Sequence, residues 1–400
     1  MRDCCGPARA HGRRFGAAAA VTLAVVLALP GCGVVPIRLA PAVPAVAQLQ
    51  AEPPGYVRIR AFGDELGPSG ASADDLGRAA LERLQSSEPI DLLALSGGAD
   101  AGAFGAGVLK GWTQRGDRPE FDYVTGVSTG ALIGALAFLG PDYDDALERF
   151  YTQTTASDVL ILRPLAALAG APSIGDSAPL RQQIDRIVTP RMVAAIAAER
   201  RKGRMLLIGT TNLDAQRQVI WDVGRIAASD QPDRVQLIRE ILLASASIPG
   251  AFPPVTIDVV ADGRHYQELH VDGGVTRGVF AYPPGLRLPP PRGPRRMWVI
   301  RNSKLAAEYQ PTRPGVVSIA ERSLTTLIKH QSVGNIADME AQARRDGFDF
   351  NVTAVPPNLA LPPYKPFDAA YMNTLFRAGL ATGRSGRGWA DDAGPLLGQN

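Results

Sequence analysis

Cysteine is missing from almost the whole chain. The sequence has 400 residues and three cysteines, Cys4, Cys5 and Cys32, all within the first 32 positions. The remaining 368 residues contain none. A folded body without cysteine has no internal disulfide and no thiolate metal site, which excludes disulfide-stabilised scaffolds and cysteine-bound metal centres.

Histidine is also scarce. The chain has four histidines, His11, His265, His270 and His330, and they form no cluster with the spacing of metal ligands. We therefore expect neither a metal ion nor another cofactor. The scarcity of histidine also limits the choice of a catalytic base.

Neither sign of charge is in excess. The formal net charge is +3, and outside residues 1–31 the chain has 38 basic and 38 acidic side chains. Binding to nucleic acid needs clustered lysine and arginine to neutralise the phosphates. We therefore predict no nucleic-acid partner.

Glycine and proline are abundant instead, with 42 and 33 residues, and 46% of the chain is hydrophobic. This composition is typical of a globular protein and excludes disordered, collagenous and coiled-coil classes. So many turn-forming residues favour an α/β protein over a helical bundle. The sequence does not indicate the oligomeric state.

The N-terminus has the pattern of a secretion signal. Basic residues precede an apolar run at positions 15–29, which is shorter than the ~20 residues that cross a bilayer. We predict a signal peptide at 1–31, with Cys32 acylated after cleavage. An ordinary secretory signal with an incidental cysteine, or an uncleaved anchor, is the alternative.

The predicted signal peptide also predicts where the rest of the protein is located and where its first segments begin and end. We expect the protein to be lipid-anchored through Cys32 in the cell envelope, at the outer membrane, with secretion as the alternative. Residues 32–88 are predicted to comprise the lipidated N-terminus, a proline-rich tether and a short helix. Residues 89–400 are predicted to form a single domain, since no linker-like composition interrupts them.

The start of this domain has the pattern of a βαβ unit. Apolar runs at 91–95 and 121–125 predict strands, and the segment 103–114 between them predicts a helix. Such a unit has parallel strands, whose carboxyl ends meet at one edge of a sheet. The two loops that follow these strands, 96–102 and 126–130, are therefore expected to meet.

The second loop contains Gly126-Val127-Ser128-Thr129-Gly130. A glycine on each side of the serine, between an apolar strand and an apolar helix, is typical of a nucleophile elbow, which exposes the serine at a sharp turn. We predict Ser128 as a nucleophile and Gly126 and Gly130 as the residues that permit the turn. The alternative is a purely structural turn, since glycine and serine are common.

The first loop, Ser96 to Gly102, is rich in glycine. Its spacing does not fit a dinucleotide site, and no Gly-Lys-Ser/Thr follows for a phosphate site. Because it is expected beside Ser128, we predict that it forms an oxyanion hole through the backbone N–H groups of four residues. These are Gly97, Gly98, Ala99 and Gly102.

Two residues are candidates for the base that activates the serine. Asp272 ends the run Glu268-Leu269-His270-Val271 and is followed by Gly273-Gly274, so its carboxylate is expected at a tight turn. An α/β-hydrolase triad instead needs a histidine late in the chain, and only His330 fits. His330 lies in a predicted amphipathic helix, so Asp272 is preferred.

These motifs together resemble the patatin-like phospholipases, especially the secreted bacterial lipoproteins of that family. The resemblance extends through Gly209 to Asp214, Ala244 to Pro254 and Glu268 to Gly274, and covers about Pro89 to Thr382. It implies a three-layer α/β domain with a mainly parallel sheet. It also implies a Ser128–Asp272 dyad that hydrolyses acyl esters of membrane lipids or lysolipids, as phospholipase A or lysophospholipase enzymes do.

The glycine loop departs from the pattern of that family. Ala99 stands where a third glycine is usual, and Ala101 stands where a basic residue is usual. Asp100 adds a negative charge that we expect near the oxyanion. These changes predict slow turnover and keep open a second possibility, a catalytically weak lipid-binding protein.

Overall fold

A computed structural model describes residues 38–64, 78–163, 171–309 and 311–397. The predicted signal peptide and Cys32 lie outside these residues. In the part of the chain that is described, no helix is both long and apolar enough to cross a membrane.

Eleven strands are found among the described residues. They are β1 (Arg60–Phe62), β2 (Ile90–Leu95), β3 (Tyr123–Val127), β4 (Ile161–Leu162), β5 (Gly175–Asp176), β6 (Met205–Asn212), β7 (Arg217–Asp222), β8 (Val255–Ala261), β9 (Arg264–Asp272), β10 (Arg295–Arg301) and β11 (Asp349–Ala354). Short 3₁₀ turns follow β2 and β9, at Ala99–Ala101 and Gly273–Val275.

Ten α-helices connect these strands within the described ranges. They are α1 (Arg78–Leu84), α2 (Gly102–Arg115), α3 (Thr129–Leu139), α4 (Asp144–Gln153), α5 (Ala178–Ile187), α6 (Pro190–Arg201), α7 (Val223–Ala228), α8 (Arg234–Ser245), α9 (Val316–Asp346) and α10 (Ala369–Ser385). The all-apolar helix α3 is buried along almost its whole length, as its sequence predicts.

The centre of the fold is a nine-stranded sheet. Its main path runs β1-β7-β6-β3-β2-β10-β11, and β9 joins β6 while carrying β8 on its other edge. The five strands β6, β3, β2, β10 and β11 are parallel, whereas β1, β7, β8 and β9 add antiparallel pairs. Hydrophobic clusters pack on the sheet and its helices. The fold is a single α/β domain with a mostly parallel central sheet, which confirms the predicted architecture.

The segment that precedes this sheet differs from its prediction. Residues 38–54 lie in the segment predicted to include a proline-rich tether, yet Val43, Ala47 and Ala51 are buried against the domain. Farther along, β1 pairs antiparallel with β7 at the edge of the sheet. Proline-rich composition predicts an irregular backbone, but it does not reveal that the occasional apolar side chains are buried.

Candidate active site

The register of the sheet brings the ends of β3 and β9 together. β6 pairs in parallel with β3 up to Val127, which faces Gly209. The next residue of β6, Thr210, faces Asp272 of the antiparallel strand β9. β9 therefore occupies the edge of β6 that β3 leaves when the chain turns at Ser128. This exchange of strands makes Ser128 and Asp272 neighbours.

Ser128 has a strained backbone. Its φ is 57° and its ψ is −127°, a region that residues other than glycine rarely adopt. A Cβ on Gly126 would lie 2.4 Å from the carbonyl oxygen of Gly130, and one on Gly130 would lie 2.3 Å from that of Leu95. Only glycine permits these two approaches, which are what a nucleophile elbow requires.

A serine from a distant helix holds this turn in place. The N–H of Ser128 donates to Oγ of Ser245 at 2.9 Å, and Ser245 Oγ donates to the carbonyl oxygen of Gly209 at 2.7 Å. Ser245 is fully buried. Its segment is one of the stretches that carry the family resemblance, but the sequence alone gave Ser245 no role.

Asp272 is fixed through both its backbone and its side chain. Its N–H donates to the carbonyl oxygen of Ser247 at 2.9 Å, and its carboxylate accepts the N–H of Gly274 at 2.7 Å. Burial raises the pKa of Asp272 to about 6, although contact with the Ser128 side chain and the Gly274 bond both lower it. A carboxylate with this pKa beside a serine hydroxyl can act as a general base near neutral pH.

The glycine loop has fewer free amides than the sequence predicts. The N–H of Gly97 donates to the carbonyl oxygen of Gly278 at 3.0 Å, and that of Gly102 donates within the preceding 3₁₀ turn. The donors of these two residues are already used within the protein, which disfavours their assignment to the oxyanion hole. The amides of Gly98 and Ala99 have no acceptor among the described residues.

The two alanines of the loop behave differently. Ala99 has a φ of 49°, so it keeps the left-handed backbone that glycine favours, at a strain of roughly 1–2 kcal/mol. Ala101 is 6% exposed and packs in the hydrophobic core. A long basic side chain at position 101 would therefore have to displace core residues.

Asp100 is a buried and hydrogen-bonded carboxylate. Its carboxylate accepts the backbone N–H of Phe367 at 2.9 Å and also bonds to the amides of Asp100 and Ala101. The side chain is 2% exposed, and burial raises its pKa to about 6. The carboxylate is bound to the segment that precedes α10, which disfavours the expectation that it opposes the oxyanion.

Asn302 braces the glycine loop from β10, another role that the sequence did not suggest. Its backbone N–H donates to Ser96 Oγ at 2.8 Å, and its Nδ2 donates to the Ser96 carbonyl oxygen at 2.7 Å. Its Oδ1 accepts the N–H of Gly105 at 3.0 Å. A Cβ on Gly98 would lie 2.5 Å from the Asn302 carbonyl oxygen, so glycine is needed there.

A small cavity of about 60 Å³ opens beside Ser128. Ala99 and Phe367 line it, so the loop and the segment held by Asp100 both contribute to its wall. The rest of the lining is mainly apolar and includes Leu132, Phe150, Val159, Leu180, Ile248 and Phe252. Such a lining suits a hydrocarbon group next to the serine.

A larger cavity of about 270 Å³ lies elsewhere, between β1, β7 and Tyr282. Burial raises the pKa of its Glu52 to about 7, and the neighbouring Arg60 opposes that shift. No serine, cysteine or histidine lines this cavity. Ser128 lines the smaller cavity, which is therefore the better candidate for a site of nucleophilic catalysis.

The histidine alternative does not fit the geometry. His330 is exposed on α9, and no hydrogen bond or ion pair in the described part of the chain joins it to Ser128 or Asp272. His270 is fully buried between Thr210 and Glu268, at 2.9 and 3.0 Å. Both histidines are thus separate from the serine.

No group of three or more histidine, cysteine or acidic side chains suited to a metal ion exists among the described residues. The candidate site therefore consists of backbone amides, a hydroxyl and a carboxylate. These groups can perform acyl transfer.

Residues 93–283 match the family model of the patatin-like phospholipases. The matched segment includes the glycine loop, Ser128 and Asp272. This segment, just under half of the chain, thus has the sequence pattern of that family of lipid ester hydrolases. The chain matches no curated protein significantly.

Two solved structures are similar in part. VipD from Legionella pneumophila has a TM-score of 0.39 and 11% identity, over 75% of this chain and 67% of VipD. The type III effector protein ExoU has a TM-score of 0.30 and 13% identity, over 74% of this chain and 52% of ExoU. The chain thus spans about half the length of ExoU. These low scores carry no argument about activity.

Proposed function

We propose that this protein is a lipid acyl hydrolase of the phospholipase A or lysophospholipase type, with Ser128 as its nucleophile and Asp272 as its base. The observation that carries the proposal is the contact of the buried Asp272 carboxylate with the strained Ser128 turn. The pKa of about 6 leaves Asp272 mainly ionised at neutral pH and still able to return a proton.

The reaction proceeds in two acyl transfers. Ser128 Oγ attacks the ester carbonyl carbon while Asp272 accepts the hydroxyl proton. The tetrahedral intermediate then collapses, the bond to the alcohol breaks, and Asp272 gives the proton to the leaving oxygen. Water next attacks the acyl-enzyme with Asp272 as base, which releases the carboxylic acid and restores Ser128.

Backbone amides stabilise the oxyanion in this mechanism. Gly98 and Ala99 retain free N–H groups in the loop beside Ser128, and Ala99 lines the cavity. Preorganised donors of this kind contribute about 3 kcal/mol each to a transition state. The left-handed backbone of Ala99 preserves the loop geometry without the usual third glycine.

The substrate class follows from the cavity. Its lining is mainly apolar, so it accepts the hydrocarbon part of an acyl group and leaves the alcohol outside. The match to patatin-like phospholipases supports a lipid ester rather than a peptide or a sugar ester.

Two measurements test this proposal. A fluorophosphonate is expected to label the protein at Ser128, and the protein is expected to hydrolyse a soluble short-chain acyl ester. Both signals should vanish in Ser128→Ala and persist in Ser157→Ala, which changes an exposed serine. Absence of labelling in the folded wild-type protein would instead favour a lipid-binding protein without catalysis.

We also propose that the domain works outside the cytoplasm, attached through an acylated Cys32. The basic start, the apolar run and the cysteine after Gly31 support this location. Metabolic labelling with a fatty acid should be lost in Cys32→Ala. Labelling that survives this substitution would contradict the anchor.

A further inference from the structure

Exposed apolar side chains are concentrated around the candidate active site. The described residues include fifteen exposed large hydrophobic side chains. Ten of them lie on segments that meet at the carboxyl edge of the sheet: three on the β4–β5 ribbon, one just after Asp272, five between residues 309 and 327, and one at 364. Scattered exposure is ordinary, but a concentration beside one opening indicates a binding surface.

Helix α9 contributes most of this surface. Val316 is 87% exposed and Leu327 is 68% exposed, whereas Ile336 and Met339 in the second half of the helix are buried. The side chains of residues 316 and 327, eleven positions apart, lie on one face because eleven residues make about three turns. Water therefore contacts an apolar face along the first half of α9.

The length of α9 carries this face beyond the sheet. The 31-residue helix is about 46 Å long, but the strand that precedes it, β10, has seven residues and spans about 23 Å. Asn335 accepts the N–H of Gly278 at 3.0 Å, so this point of α9 lies level with the active-site loops. The residues before it therefore project past the carboxyl edge.

The β4–β5 ribbon contributes the second part of the surface. Ile161 and Leu162 on β4 are 45% and 63% exposed, and Ile174 beside β5 is 48% exposed. Val159, two residues before β4, lines the cavity next to Ser128. The exposed ribbon and the cavity wall are thus continuous along the chain.

Charge on these segments is nearly balanced. Residues 156–163, 171–177, 302–330 and 356–368 contain six basic and five acidic side chains. Arg163 pairs with Asp176 at 2.6 Å, and Lys329 pairs with Glu308 at 3.0 Å. A surface that attracts anionic lipid has a clear excess of lysine and arginine. This surface therefore favours an uncharged or zwitterionic partner.

We propose that the first half of α9 and the β4–β5 ribbon insert into the surface of a zwitterionic lipid layer, so that the Ser128 cavity opens onto it. The inference rests on the proposed function, in which the acyl substrate belongs to such a layer. Apolar side chains enter the interface beside the opening, and the substrate passes from the layer into the apolar cavity.

Binding to phosphatidylcholine vesicles tests this surface. The full chain carries Cys32→Ala in every sample, so that no acyl group at that position contributes. The double variant Val316→Ser/Leu327→Ser is expected to lower the vesicle partition coefficient by about tenfold or more, since each buried large apolar side chain contributes about tenfold. Raising the salt concentration should change binding less than twofold.

The N-terminal segment provides the matched control. Val46 and Leu49 are 91% and 67% exposed, close to the values for Val316 and Leu327, but they lie outside the proposed surface. Val46→Ser/Leu49→Ser should leave vesicle binding unchanged. Both double variants should hydrolyse a soluble short-chain ester at the wild-type rate.

Three results would overturn the proposal. These are no vesicle binding by the full chain, equal losses in the two double variants, and a solution dimer that Val316→Ser/Leu327→Ser separates. The third result would show that a second copy covers this face. Vesicle binding that behaves as expected, without hydrolysis of any ester, would refute the proposed function and leave the lipid surface supported.

Discussion

Two turns near Ser128 each carry a buried aspartate, and their comparison shows what decides the role of a carboxylate. Asp100 lies in the loop after β2 and Asp272 in the turn after β9; burial raises the pKa of both to about 6. Asp272 contacts the Ser128 side chain, whereas Asp100 accepts the backbone N–H of Phe367. Burial raises both pKa values alike, and only the hydrogen-bond partners distinguish the proposed base from a carboxylate that holds a backbone segment.

The largest expected effect separates the two carboxylates by substitution. Asp272→Asn should lower kcat for a soluble acyl ester by about a thousandfold or more, because an amide cannot accept the serine proton. Ser128→Ala/Asp272→Asn should lose little more than either single variant, since the pair acts as one unit. Additive losses in the double variant would contradict the dyad.

Asp100→Asn should have a smaller effect, and its sign distinguishes two interpretations. The sequence alone predicts a faster enzyme, because a negative charge leaves the loop. The structure predicts a loss of about tenfold in kcat/KM. The carboxylate of Asp100 has two acceptor oxygens for its hydrogen bonds from backbone N–H groups, whereas an asparagine side chain has only one acceptor oxygen for them.

The matched test is Asp100→Ala, which removes every acceptor. It should lower kcat/KM further and also destabilise the fold by about 1–3 kcal/mol, measured by denaturant unfolding. A rate increase in Asp100→Asn would show that the carboxylate opposes the oxyanion after all.

The pH dependence of hydrolysis should show an effect of about tenfold between pH 7 and pH 5. Asp272 must be ionised to accept a proton, and its raised pKa of about 6 means that it becomes protonated as the pH falls through that value. The acidic limb of kcat/KM should persist in Asp100→Asn. If the acidic limb is absent in Asp100→Asn, the group that titrates is Asp100 and not Asp272.

The last expected effect concerns stability. A raised carboxyl pKa means that ionisation costs the folded state free energy, and this cost is complete above pH 6 and absent below about pH 4. Asp272→Asn should therefore raise the unfolding free energy at pH 8, by about 3 kcal/mol at most, and change it little at pH 4. An equal difference in unfolding free energy between the two proteins at pH 8 and pH 4 would show that ionisation of Asp272 is not the cause.

The sequence predicted regular elements well where they form continuous patterns. The strands expected at 91–95 and 121–125 occur at Ile90–Leu95 and Tyr123–Val127, and the helix expected at 103–114 occurs at Gly102–Arg115. β1 and β8 were not predicted. β1 has only three residues, and β8 alternates buried and exposed positions on the outer edge of β9, so neither has a continuous apolar run.

The sequence predicted Ser128 and Asp272, whose side chains are in contact in the structure, but it also assigned free amides to two glycines of the loop whose donors are used. Ser245 had no predicted role because its bond to the Ser128 amide depends on how α8 packs against β6. Gly97 was assigned a free amide because its acceptor, the carbonyl oxygen of Gly278, is remote in the chain. The sequence alone does not show whether a backbone N–H is free, because its acceptor can be distant in the chain.

Local sterics explain what the sequence determined by itself. Gly126 and Gly130 fix the elbow because each meets backbone atoms where a Cβ does not fit, and apolar runs around them fix a buried strand and helix. The tertiary structure alone decided how the two buried carboxylates are bound. β9 follows β3 on the same edge of β6, whereas Phe367 captures Asp100. Pairing between residues so far apart depends on the packing of the whole sheet.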